Sequence, residues 1–180
     1  MTHESLPAAP LVPPVFGPAD ATRLPSFVSQ SGEGRSLEIR AGAVIVREDG
    51  SRTLGSLGIF EQKMSGDHTG PVPHYHAKMV EIFVVLSGCL MVTVDEVTTP
   101  VRAGGLAMVF PGSVHWFQPD PNEGAHFLIM FSPAAERVDF FEGLAAARQT
   151  GGAFDAHALM TFMTTHDQFV VDASDIKARY

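Results

Sequence analysis

The sequence predicts an all-β fold, an antiparallel β-barrel with helices at its C-terminal end. Three observations carry this expectation. Between Leu37 and Phe131, short runs rich in Val, Ile and Phe are broken by turn signals at regular intervals. After Ser132 the apolar spacing turns helical, with Val138, Phe141, Leu144 and Ala145 on one face. The 180 residues are 45% hydrophobic and 18% charged, enough for one domain with a packed core.

The elements follow in order. Residues 1–36 form an N-terminal arm, with Pro7, Pro10, Pro13, Pro14, Pro18 and Pro25 fixing an extended backbone. Residues 37–131 form the barrel. Its expected strands are Ala43–Arg47, Leu57–Met64, Glu81–Leu86, Leu90–Val94, Leu106–Phe110, Val114–Phe117 and Phe127–Phe131. Asp49-Gly50, Ser65-Gly66-Asp67, Ser87-Gly88, Gly104-Gly105, Pro111-Gly112 and the 119–124 segment supply the turns. Residues 132–180 form a helical extension packed on the barrel. Ser132 is its expected cap, Pro133 its first turn and Gly151-Gly152 the end of its first helix. A second helix is expected over residues 156–164, with Leu159, Met160 and Met163 as its apolar side.

Twelve basic and 20 acidic residues leave a formal charge of −8. That charge disfavours a nucleic acid or an anionic membrane as partner. Cys89 stands alone, so no intrachain disulfide forms. The opening MTHESLPAAP lacks a basic start and an apolar core, and no run approaches a membrane span of about 20 residues. A cytoplasmic location is expected.

The chemistry concentrates in PHYHAKMVEIFVVLSG. In a strand, residues two apart share a face, so His74 and His76 reach one point. The segment 77–80 leaves room for a bend that brings Glu81 in as a third ligand. His115, after the Pro111-Gly112 turn, is the fourth candidate. Three imidazoles and a carboxylate suit one divalent transition metal per chain, Ni, Fe, Mn, Co, Cu or Zn. Calcium and magnesium favour more oxygen donors.

These motifs carry a resemblance. HYHAKMVEIFVVLSG resembles the first motif of the cupin superfamily: His-x-His, a gap, Glu, then Gly88. GLAMVFPGSVH, from Gly105 to His115, resembles the second. It departs in that Gly112 directly follows Pro111 and in that Gln118 stands near the place of a final Asn. Together with GSLGIFEQKM and the helix VDFFEGLAAA, the motifs are similar to those of single-cupin bacterial quercetin dioxygenases. The resemblance implies a double-stranded β-helix, a jelly-roll-like barrel. It also implies a metal-dependent dioxygenase that opens the ring of a flavonol with O₂ and releases carbon monoxide. In that reaction Glu81 is both ligand and catalytic base.

Fold does not fix chemistry. Two other readings stand beside this one: a metal-dependent isomerase, cyclase or lyase working without O₂, and a small-molecule-binding protein without turnover. A small aromatic substrate calls for an apolar pocket, for which Phe60, Met79, Met91, Met108 and Phe117 are the candidates, with Trp116 and Phe127 nearby. Lys78, His68 and His126 have no assigned role; His157 and His166 read as surface residues. Sheet edges and the arm favour a homodimer.

Overall fold

The computed structural model describes residues 26–149 and 156–171. The expected arm falls mostly on residues 1–25, outside this range, as does Gly151-Gly152. Ten strands and two helices are present among the described residues. In chain order they are β1 (Arg35–Ile39), β2 (Gly42–Glu48), β3 (Gly58–Met64), β4 (His74–Tyr75), β5 (Val80–Val94), β6 (Val97–Arg102), β7 (Leu106–Val109), β8 (His115–Pro119), β9 (Ala125–Ser132), α1 (Arg137–Gln149), α2 (Ala156–Thr165) and β10 (Phe169–Val170). The main path of pairing is β1-β2-β3-β9-β5-β8-β4-β10, with β6 and β7 also on β5, and every pair is antiparallel.

The two strands expected over Glu81–Leu86 and Leu90–Val94 are one strand of 15 residues. Its first half lies between β7 and β9, its second between β6 and β8. Ser87-Gly88 is therefore a bulge, not a turn: the register against β9 shifts between Val85 and Ser87. Gly88 has φ +73, and a Cβ there would collide with the carbonyl of Gly124, so only glycine lets β5 cross. The shift also changes which side chains face inward. Phe83 and Val85 are buried before it, Leu90 and Val92 after it.

Inside, Phe83, Phe117 and Phe127 pack with centroids 4.9 to 6.2 Å apart. Phe60 meets Phe131 at 5.9 Å and Phe141 of α1 at 4.8 Å, which joins the helix to the sheet. Each such ring contributes about 1.5–3 kcal/mol by leaving water. Arg137, Phe140, Phe141 and Ala145 form the buried side of α1. Ser132 does not cap this helix. It ends β9, and its hydroxyl donates to the Ser56 carbonyl at 2.9 Å, so α1 starts only at Arg137. In α2, Leu159 and Met163 are buried. The chain then returns to the barrel, where β10 pairs with β4. No helix of the described residues is long and apolar enough to cross a membrane.

Candidate metal centre

Residues 74–81 and the distant His115 meet at one buried point. β4 supplies His74, the following residue but one is His76, β5 supplies Glu81, and β8 opens with His115. His74 and His115 are register partners across the β4–β8 pair. The ligand atoms of these four residues all lie within 4.8 Å of one another, and all four side chains are buried. Glu81 Oε2 lies 2.6 Å from His115 Nε2 and 3.0 Å from His76 Nε2.

The backbone sets the orientation of each ring. Nδ1–H of His74 donates to the Val72 carbonyl at 2.7 Å, that of His115 to Ser113 at 3.0 Å, and that of His76 to Asp167 at 2.6 Å. A carbonyl only accepts, so Nδ1 carries the proton and the Nε2 lone pair is left as the ligating atom. Asp167 does more. Its carboxylate accepts the N–H of Ala77 at 3.1 Å and of Lys78 at 2.9 Å, clamping the turn that carries His76. On the other side, Gly112 N–H donates to the His76 carbonyl at 2.8 Å.

Electrostatics agree with this donor set. Burial would raise the Glu81 carboxyl, but the charge and hydrogen bonds of His115 and His76 outweigh it and hold Glu81 well below the usual range. Burial, reinforced by His115, pushes His74 well below the ordinary imidazole value. Burial opposes protonation of His115 too, but the adjacent Glu81 wins and raises it. A carboxylate wedged against two Nε2 atoms requires positive charge between them, either protons or a metal cation. Three neutral nitrogens and one carboxylate fit a divalent transition ion.

Above the centre lies a cavity of about 480 Å³ whose wall includes His74 and Glu81. Phe117, Ile129, Phe140, Phe141, Leu144 and Leu159 are among its apolar lining. Of the five residues expected to line a pocket, Phe117 does so. Phe60 and Met79 are fully buried elsewhere in the core. Met91 follows the β5 bulge and sits out of phase with inward-facing Leu90 and Val92. Met108 is 45% exposed on β7, with its neighbour Val109 turned inward. Lys78 is exposed. His68 Nδ1 accepts from Ser65 N–H at 3.2 Å, and His126 Nε2 lies 2.6 Å from Glu61. His166 is half-buried, its ring against Phe162 at 4.7 Å. The sequence reading did not single out Asp167, Arg137 or Gln168, since nothing local marks them.

Comparison with known proteins agrees with the geometry. Residues 60–131 match the Cupin_2 family, the cupin domain. No curated protein matches the chain. Among solved structures, the polyketide cyclase RemF from Streptomyces resistomycificus is similar at 16% identity and a TM-score of 0.50, over 61% of this chain and 80% of that one. A cupin protein from Bacteroides fragilis has 19% identity and a TM-score of 0.47, over 63% and 86%. A protein from Planctomyces limnophilus has 19% and 0.48, over 61% and 90%. Identities this low speak to the fold alone, and the fold is that of the cupin β-barrel.

Proposed function

We propose that this protein is a metal-dependent enzyme acting on a small, flat enol, and that its reaction is ring cleavage of a flavonol-like substrate with O₂. One observation carries the reading: a buried three-histidine, one-glutamate cluster forms part of the wall of an apolar cavity. The volume of about 480 Å³ falls within the range of about 300–1,000 Å³ usual for small-molecule sites. His74, His76, Glu81 and His115 would hold the ion. When bound, a divalent transition ion supplies Lewis acidity that makes an enolic hydroxyl easier to ionise.

The chain supplies the rest. Phe117, Phe140 and Phe141 line the cavity and give an aromatic substrate an apolar wall to pack against. Glu81, in the cavity wall beside His74, accepts the hydroxyl proton. Its carboxyl is held low by His115 and His76, while burial acts in the opposite sense. The apolar wall keeps water from the ionised substrate.

The same site suits a cyclase, isomerase or lyase that needs no O₂, and the experiment separates the two. Purified protein is analysed for metal content and then assayed in an oxygen electrode with a panel of flavonols. Oxygen uptake matched by substrate loss is expected, and Glu81→Gln should abolish it while the fold remains. No uptake by metal-loaded protein with any flavonol removes the dioxygenase reading. A ligand that binds without ever turning over removes enzyme function altogether.

A further inference from the structure

The chain is acidic, with a formal charge of −8, yet three arginines stand in the wall of its apolar cavity. Arg40, Arg137 and Arg148 contribute to the wall, and Glu81 is its single acidic residue among those described. The three arginines are not equivalent. Arg40 and Arg148 are exposed, at the rim; Arg148 is fixed there by a 2.6 Å bond to the Ile39 carbonyl. Arg137 is only 4% exposed and shares the inner wall with His74 and Glu81.

Arg137 is held in a defined pose. Its guanidinium stacks on Phe140 at 3.9 Å and on Phe131 at 4.7 Å. It donates to Gln168 Oε1 at 2.6 Å and to the His166 carbonyl at 3.3 Å. Burying a cation costs several kcal/mol of hydration, so a purely apolar lining would be more favourable were packing its only task. A guanidinium fixed by stacking is also preorganised to bind an anionic oxygen in a fork.

Resting on the reading of this cavity as the substrate site, we propose that Arg137 determines specificity: the cavity selects a flat organic anion over its neutral counterpart. The anionic group is a carboxylate or an ionised phenol, separate from the enol hydroxyl whose proton goes to Glu81. The apolar body lies among the phenylalanines, and the charged oxygen is directed to Arg137. Arg148 is paired with Glu38 at 3.4 Å, so Arg40 supplies the positive charge at the entrance that draws the anion in.

The test uses 2-naphthoate and 2-naphthamide, flat probes of similar size that differ in charge. Their affinities are measured by calorimetry on the protein as purified and again after dialysis against a chelator. Wild-type protein should bind the naphthoate at least about tenfold more tightly in both states. Arg137→Met should bring the ratio near unity, and Arg137→Lys should restore part of it. Equal affinities in wild-type protein, or no binding of either probe, overturn the proposal even if Arg137→Met does not fold. So does a ratio that persists in folded Arg137→Met. A preference that vanishes with the metal assigns the anion to the ion, overturning the role of Arg137 but not the proposed function. Protein that purifies without metal and refuses reloading, yet keeps the preference, sinks the enzyme reading and leaves this inference standing.

Discussion

Asp167 gives the sharpest test of how the fold builds its candidate metal centre. It lies 91 residues from His76 along the chain, yet its carbonyl fixes the His76 ring and its carboxylate holds the next two amides. Its φ of 57 is left-handed, which Asn tolerates and Ala does not. Asp167→Ala deletes two charge-assisted bonds on an exposed turn, about 1 kcal/mol each. It adds about 1 kcal/mol of backbone strain. The total of about 3 kcal/mol falls on the turn that presents one ligand in four, so metal affinity should drop by about tenfold to 100-fold. Asp167→Asn keeps the backbone and one acceptor; a loss of about 1 kcal/mol corresponds to about fivefold. Competition with a chromogenic zinc chelator reads both variants, and urea unfolding of metal-free protein reads the stability. If Asp167→Ala loses about 3 kcal/mol of stability and binds zinc as tightly as wild type, the clamp supports the fold and does not position His76.

Other expectations follow from the same structure. His115→Ala should lower the metal retained after dialysis, and unchanged content would remove His115 from the ligand set. Glu61, buried on β3, is pushed up by burial but held at about 2 by Gly32 N–H, Ser31, His126 and Arg47. Its folded value is depressed below 4.5, so its stabilisation, at most about 3 kcal/mol, is present above pH 4.5 and fades as pH falls toward about 2. Glu61→Gln should flatten stability across that window, and an unchanged acid limb would refute the assignment. Finally, Leu106 and Met108 on β7 and Phe110 just after it are exposed, beside partly buried Ile82 and Val84 on β5. An apolar outward face of this kind favours self-association, so light scattering should give twice the chain mass, and Met108→Lys the mass of one chain.

The parts of this molecule that depend on local pattern were legible in its sequence. His74, His76 and Glu81 lie within eight residues, and strand alternation and a turn are enough to bring them together. β2, β3 and β9 announce themselves by short apolar runs that hold Val, Ile and Phe. β6 was not legible, because VTTPVR is polar and holds a proline. Pairing only with β5, it is an edge strand, where a missing N–H is tolerated. Met91 and Met108 lie outside the cavity lining for a different reason. Nearness to a motif says nothing about parity, and the bulge at Ser87-Gly88 reverses parity along β5. Arg137, Asp167 and Gln168 take their meaning from the return of the chain after α2, which no local spacing records.

The course of β5 bears on how an ion would hold the molecule. Glu81 is its second residue, and its last, Val94, lies opposite His115. The strand leaves the centre, passes through the Gly88 crossing and comes back to the same place, so it runs like a belt whose two ends meet at the buckle. A cation gripping Glu81 and His115 fastens that loop. Its departure should quicken amide hydrogen exchange along the whole of β5, including residues far from any ligand.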